Sequence, residues 1–485
     1  MNPRRHPLAR TSRTFLTFAA LALATLASAA ARAEAPIDVG DRLEPFIDLH
    51  LVDTLDGVTH EFHVPQEITP VEQRPSDGYY ATVIFLPREK KYLHYSREVI
   101  PGYTGSDADG NPGEVTALEE STDGVHWTKP NLGLFEVNGS KDNNYVLYGM
   151  SPFSHNFSPF LDGNPACPPE QRFKAIAGTF KTGLVAFVSP DGVHWTKLRE
   201  EPVIPAEKDK MIFDSQNVAY WSPGEKQYVA YCRLTTDLRR VIRFTSTDFL
   251  TWSEPVLQPA NLPDEHLYTS QAHPYFRAPH IVVGLATRFL PAGGQSTDIV
   301  LLTARDGTNF DRVFKEAFIR PAPLKESWAN RGNFAALNVF PLKNTTKEEM
   351  PEEWRHRVIT EMGMLVRDRV YKLRVDGFAS LHAGAKEGTV VTKPLVFSGD
   401  QLVLNYQTSA AGSIELEILD AAGTPIPGFT RSDLKDPFWG DRNDQVTMWK
   451  DKERPVSALA GQPIRLRFFM QDADLYAIQF RKRPQ

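Results

Sequence analysis

The sequence predicts an all-β protein, a five-bladed β-propeller followed by a C-terminal β-sandwich. Three observations predict it. First, a short motif recurs. Ser121-Thr-Asp-Gly-Val-His-Trp127 returns almost unchanged as Ser189-Pro-Asp-Gly-Val-His-Trp195. Looser copies stand at Ser246-Thr-Asp-Phe-Leu-Thr-Trp252, Thr303-Ala-Arg-Asp-Gly-Thr-Asn-Phe310 and Val375-Asp-Gly-Phe378. Copies spaced by roughly 55–70 residues mark a repeat architecture. Second, 37 prolines and 31 glycines in an aromatic-rich chain favour short strands and turns over long helices. Third, from Thr389 apolar residues alternate strictly, in Leu402, Leu404 and Tyr406, in Ile414, Leu416 and Ile418, and in Ile464, Leu466, Phe468 and Met470. Period two over short segments is the pattern of a half-buried antiparallel sheet.

The repeated motif has a mechanism. An Asp side chain bonds the backbone ahead of it, the following Gly accepts positive φ, and the aromatic anchors the turn. Each copy follows a short apolar run, so the unit reads as strand, turn, aromatic, repeated about five times.

Composition sets the class. An apolar content of 41% and a charged content of 24% are ordinary for a globular chain. A net charge of −6 gives a nucleic-acid partner no electrostatic support. Residues 1–33 read as a signal peptide, with Arg4, Arg5, Arg10 and Arg13 before the apolar stretch 15–30 and Ala31-Arg-Ala33 as the cleavage site. The expected location is exported, with no membrane contact after cleavage; the stretch is short and Ala-rich for a stable span. Only Cys167 and Cys232 exist, too few for a zinc site, and sequence leaves their pairing open.

The expected domains are the propeller at 34–378 and the sandwich at 379–485. Within 37–77, Pro45-Phe-Ile-Asp-Leu-His-Leu-Val52 reads as a short strand packed on the main body; a rival six-bladed ring hides a further unit here. Blade one begins at Tyr79-Tyr-Ala-Thr-Val-Ile-Phe-Leu86 and continues through Lys91-Tyr-Leu-His-Tyr-Ser96. Blade two takes Asn144-Tyr-Val-Leu-Tyr148, then a Pro-rich loop, then Arg172-Phe-Lys-Ala-Ile-Ala177. Blades three and four share one order, with inner strands at 213–221 and 268–276, and blade five opens at Asn330. Radial repetition leaves few exposed sheet edges.

Several tracts carry a resemblance. They are Trp127-Thr-Lys-Pro-Asn-Leu-Gly-Leu134, Gly139-Ser-Lys-Asp-Asn-Asn144, Phe213-Asp-Ser-Gln-Asn217, Tyr275-Phe-Arg-Ala-Pro-His280, Glu316-Ala-Phe-Ile-Arg-Pro321, Asp376-Gly-Phe378 and Leu404-Asn-Tyr-Gln-Thr-Ser-Ala-Ala-Gly-Ser413. With them the chain resembles the five-bladed propeller glycosidases of glycoside hydrolase families 32, 43 and 68. More closely, it looks like a set of secreted bacterial proteins similar to the family 32 N-terminal domain. The resemblance implies a glycoside hydrolase acting on a carbohydrate. The family's Trp-Met-Asn-Asp-Pro-Asn-Gly, Arg-Asp-Pro and Glu-Cys motifs are absent, so its acid and nucleophile do not transfer by motif.

Candidates come from position instead. In a propeller, the first strand of each blade lines the channel, and the loops entering it open on the functional face. Asp214 starts an inner strand beside the polar run Ser215-Gln216-Asn217, which is costly to bury without partners. Asp162 sits in the loop into blade two and is the loose counterpart of the Arg-Asp-Pro aspartate. Glu316 precedes an apolar run on the path into blade five, and Asp48 lies among apolar neighbours in the entry segment. Glu72 and Glu265 are weaker. Hydrolysis needs two carboxylates across the scissile bond, one of them with a raised pKa. Substrate-binding candidates are Arg97, Arg233, Arg288 and Arg331, whose forks suit hydroxyls, carboxylates or sulfates, with Tyr268, Trp328, Gln216 and Asn217. His273 and His280 read as satisfied core or rim histidines. No cofactor is called for; a structural calcium fits the architecture, but no sequence feature supports one. The alternatives to a hydrolase are a non-catalytic carbohydrate-binding or surface protein and a sialidase-like enzyme. The sugar and the oligomeric state are not legible.

Overall fold

The computed structural model describes residues 35–208, 210–305, 309–323, 327–342, 360–451 and 455–483. The expected signal segment lies outside the described residues, as does the centre of the fourth Asp-Gly turn at 306–308. Among the described residues no helix is long and apolar enough to cross a membrane. The strands form six sheets, and five of these are propeller blades.

Blade one runs from axis to rim through Tyr79–Leu86, Lys91–Val99, Glu114–Ser121 and Tyr145–Leu147. Blade two runs through Ser158–Leu161, Phe173–Thr179, Gly183–Ser189 and Thr196–Lys197. In blade three, Met211–Ile212 and Val218–Ser222 share the inner edge of Gln227–Thr235, followed by Arg239–Ser246 and Val256–Gln258. Blade four sets His266–Thr269 and Ala272–Tyr275 against Ala278–Leu290 and then Ser296–Arg305. Blade five is Phe340–Pro341, Glu361–Val366 and Arg369–Arg374, closed at the rim by Gln66–Glu67 from early in the chain. Within the ring, Thr82 of blade one bridges Leu337 of blade five in parallel.

Two placements differ from the sequence reading. The segment 145–147 ends blade one and does not begin blade two, because Thr116 and Ala117 take its backbone hydrogen bonds. The inner strand of blade two is Ser158–Leu161, inside what reads as a Pro-rich loop.

The repeated turns are built alike. In the first, Gly124 N–H donates to Ser121 Oγ at 2.8 Å, and Val125 and His126 N–H donate to Asp123 Oδ1 at 2.8 and 2.9 Å. Ser189 and Asp191 repeat the pattern in blade two, and Ser246 and Asp248 in blade three. Gly124 and Gly192 have φ of 82° and 81°, and Phe249 holds the equivalent position at φ 65°. That conformation is strained for an aromatic residue. Phe249 is fully buried against Phe160 and Tyr228, and that packing offsets the strain. The fifth copy is different: Asp376 is a junction. Its carboxylate accepts from Tyr275 Oη at 2.8 Å, from Arg277 at 2.6 Å and from Asn405 Nδ2 at 2.8 Å. Blade four, blade five and the C-terminal sheet meet there.

The sixth sheet has ten strands, and its long members are Gln401–Asp420 and Ile464–Arg481. Register shifts bend Gln401–Asp420, and residues from both of its halves belong to one core with Phe429, Phe438 and Trp449. The entry segment is part of this sheet. Ile37–Gly40 pairs with Leu395–Phe397, Leu43–Pro45 with Ile464–Arg481, Val52–Asp56 with Gly388–Thr392, and Val58–Phe62 with Ala379–Ala383. The expected boundary of 34–378 therefore does not hold: residues 37–62 belong with the C-terminal sheet, which also leaves no sixth blade there. Cys167 and Cys232 are both free thiols.

Candidate functional site

Positive-φ residues interrupt or precede the inner strands of four blades. Tyr80, Phe213 and Gln271 have φ of 49°, 63° and 48° within the inner-strand segments of blades one, three and four, and Arg331 has φ 67° on the segment leading into blade five. In blades one and four the ladder slips there, between Tyr79 and Thr82 and between Leu267 and Thr269. Bulges of this kind re-aim side chains, and backbone strain of this kind gathers at functional sites.

What the breaks aim inward forms two layers. The deeper layer is a polar plug. Gln216 Nε2 donates to Ala81 O at 3.1 Å and Thr82 Oγ1 at 3.2 Å, while Gln271 Nε2 donates to Gln216 Oε1 at 2.7 Å. Asn217 Nδ2 donates to Ser215 O at 2.9 Å, and Asn156 Nδ2 to the same oxygen at 2.8 Å. Gln216 and Asn217, expected on substrate, are buried and occupied in this plug. Their polar run reads like a binding edge in sequence because it must satisfy backbone groups of several blades at once.

The outer layer is a mouth of tyrosines and arginines. Arg233 ion-pairs with Asp214, and its guanidinium lies 4.9 Å from the Tyr268 ring. Arg239 lies 4.8 Å from the same ring. Arg97 stacks on Tyr80 at 4.9 Å, meets His155 Nδ1 at 2.6 Å and Glu114 at 3.5 Å. Arg331 reaches Tyr268 and Tyr80 electrostatically and lies 3.8 Å from Asp109. Burial, then the neighbouring Tyr268, push the Tyr80 hydroxyl up to about 12, against the pull of Arg233, Arg97 and Arg331. Asp214 is 30% exposed, whereas its arginine is 3% exposed, so the carboxylate edges the opening. Asp109, Glu114 and His155 each offer a ligand atom within 4.8 Å of the others. That trio has the donors for a divalent ion, but the Arg97 guanidinium already lies against Glu114 and His155.

Of the expected residues, the mouth gathers Asp214, Arg97, Arg233, Arg331 and Tyr268. Trp328 is exposed on the segment leading into blade five. The others lie elsewhere. Asp162 follows the last residue of an inner strand, so it sits at the opposite end of the ring. Its fully buried carboxylate takes Lys174 Nζ and Tyr228 Oη, both at 2.7 Å. Tyr228 and Arg233 stand at opposite ends of one strand, roughly 17 Å apart at about 3.4 Å per residue. The two aspartates expected to act together are thus bonded to opposite ends of it. Asp48 pairs with Arg305 at 2.7 Å in a cluster with Glu44, joining the entry segment to blade four. Glu316 is exposed, and its segment forms the outer edge of blade four through the Ile299–Ile319 bridge. Arg288 is held by Asp298 at 2.5–2.8 Å. Glu265 pairs with Arg312 at 2.6 Å. Among the histidines, His273 is satisfied between Gln271 O and Val339 N–H, at 2.9 and 2.8 Å.

Sequence reasoning missed Tyr80, Glu114, Asp109, His155 and Arg239. Tyr80 carries a usable signal, an aromatic at the start of an inner strand, as Tyr268 is. Glu114 and Asp109 stand in or beside a Gly-, Asp- and Pro-rich loop and carry none.

The protein is a five-bladed β-propeller with a mouth of ion-paired carboxylates and aromatics at one end of its axis. No family model and no curated protein matches the chain. Similar solved structures include a glycoside hydrolase family 43 arabinoxylan arabinofuranohydrolase from Bacillus subtilis in complex with cellotetraose. It is 11% identical, with a TM-score of 0.39, over 85% of this chain and 97% of that one. An endo-arabinase from Bacteroides thetaiotaomicron is 11% identical, with a TM-score of 0.39, over 64% of this chain and 96% of that one. An N-acetylgalactosamine deacetylase from F. plautii in complex with blood group B trisaccharide is 14% identical, with a TM-score of 0.36, over 86% and 95%. At this identity the likeness is one of fold alone.

Proposed function

We propose that the protein is an exported glycoside hydrolase whose carbohydrate substrate enters at the mouth where the inner strands begin. Asp214 is one reacting carboxylate, and the neighbouring Asp109 and Glu114 supply the second. One observation carries the reading: carboxylates from the start of blade three (Asp214), from the loop before the third strand of blade one (Asp109) and from that strand's first residue (Glu114) each stand beside an arginine that reaches Tyr268 or Tyr80. Glycoside hydrolysis needs two carboxylates across the bond, with groups that orient the sugar. Tyr80 and Tyr268 supply rings and hydroxyls for that second task.

The test is sugar release by the full chain from a panel of oligosaccharides, aryl glycosides and synthetic sialosides, beside Asp214→Asn and Glu114→Gln. Release by the native protein, cut at least about 100-fold in each variant at native-like stability, is the expected result. Full activity of Asp214→Asn on a confirmed substrate sinks the assignment. A second reading, carbohydrate binding without hydrolysis, is favoured by the distance between Asp214 and Asp162 and by the ion pair that occupies Asp214. Glycan binding with no release anywhere on the panel selects it.

A further inference from the structure

The cations at the mouth are not matched by its carboxylates. Asp214 serves Arg233 and Glu114 serves Arg97. Arg331 is 40% exposed, and its nearest recorded carboxylate is Asp109, itself 46% exposed, at 3.8 Å. For Arg239 no carboxylate partner is recorded among the described residues. Its polar contacts are with His266 Nδ1, at 3.2 Å from its backbone N–H and 3.3 Å from its guanidinium. Arg239 and Arg233 both lie within 5 Å of the centre of the Tyr268 ring. Burial, and after it the charge of Arg233, pull the Arg239 guanidinium below its ordinary value, against the smaller opposing pull of Tyr268, Asp214 and Tyr80. An aromatic ring offsets part of that repulsion. A carboxylate or sulfate oxygen pair, which a guanidinium fork matches, would offset the rest.

From this we infer that the mouth takes a sugar bearing an anionic substituent, a uronate carboxylate or a sulfate ester, held against Tyr268 by Arg239 and Arg331. The inference rests on the mouth being the carbohydrate site and names the class of carbohydrate. Neutral sugars would leave Arg239 without a directly paired carboxylate and Arg331 with only the distant, exposed Asp109. An anionic one removes the repulsion that the free protein carries.

Calorimetric titration of the native full chain with non-hydrolysable S-linked probes, at low and at high salt, tests it without turnover and with the Asp214–Arg233 pair intact. The probes are the S-linked forms of trigalacturonate, a sulfated galactose trisaccharide and neutral galactotriose. One or both charged probes are expected to bind at least tenfold more tightly than the neutral one, and more weakly as salt rises. The two charged probes distinguish carboxylate from sulfate. Arg239→Gln is expected to remove the preference for charge, while Arg239→Lys keeps part of it, which separates recognition from misfolding. Equal binding of charged and neutral probes, binding of none, or a preference that survives both Arg239→Gln and Arg331→Gln overturns the inference. Hydrolysis is scored separately in the native protein. Arginine-dependent binding of a charged glycan without cleavage defeats the hydrolase reading and leaves the anion site standing.

Discussion

The two ends of the propeller axis are made by the same strands and are chemically opposite. Where inner strands begin, the lining is Tyr80, Tyr268, Asp214 and arginines, with Tyr80 and Arg331 at positive φ. Where they finish, a cavity of about 400 Å³ is lined mainly by apolar groups, among them Phe85, Phe160, Trp221, Pro274 and Phe276. The Gln216–Gln271 plug stands between. The difference teaches why a carboxylate's residue type says little about its role. Asp214 keeps an exposed edge, whereas Asp162 is sealed with Lys174 and Tyr228. Both are aspartates at an end of an inner strand, and only the end decides whether a substrate can reach them.

The sharpest way to break this comparison is Asp162→Asn. It leaves the Lys174 ammonium, 4% exposed, without its counter-charge. Loss of one partner of a buried pair costs about 3–5 kcal/mol, read by denaturant unfolding, and the folded fraction keeps whatever sugar release the native protein shows under the proposed function. Native stability with lost turnover would place Asp162 in the site and undo the contrast.

Next is pH. Burial holds His273, between the plug and the apolar end, at about 4 against an ordinary 6.5. Its folded form is neutral, so the stability it confers is complete above about 6.5 and is lost as pH falls toward about 4. The loss is on the order of 3 kcal/mol. Burial also lowers His60 and His63, so the quantity to compare is the acid unfolding profile of the native protein against His273→Gln. Identical profiles would remove His273 from the account. The smallest effect is expected from the plug. Gln216→Leu removes one acceptor from the Gln271 amide, which keeps Ala335 O, and one donor from the Ala81 carbonyl, which keeps Leu337 N–H, so it costs about 0.5–1.5 kcal/mol in chemical denaturation.

Much of the ring was legible. The Asp-Gly turns mark the ends of the third strands of blades one and two because Ser, Asp and Gly each do a local job there. Ser158–Leu161 was not legible, since a four-residue strand containing Pro159 has too few residues to show a period. Nor was the partnership of 37–62 with the C-terminal sheet, because pairing across the whole chain leaves no local trace. The mouth was half legible. Arg97, Arg233 and Tyr268 follow from the strand order, while Asp162 was misplaced because the four-residue inner strand before it went unseen.

The pairing of the entry segment has a consequence in time. Gln479 bonds the carbonyl of Asp41, 438 residues earlier. At roughly 5–20 residues per second, synthesis leaves Leu43–Pro45 without its neighbour for tens of seconds, until Ile464–Arg481 emerges. Over the same interval Gln66–Glu67 waits for Arg369–Arg374 to close the ring. Blades two, three and four are contiguous in sequence and can form as they are made. The seam of the ring and the sheet beside it are committed last, and together. A nascent chain is therefore an open arc for most of its synthesis, with its earliest strands exposed until their partners are made.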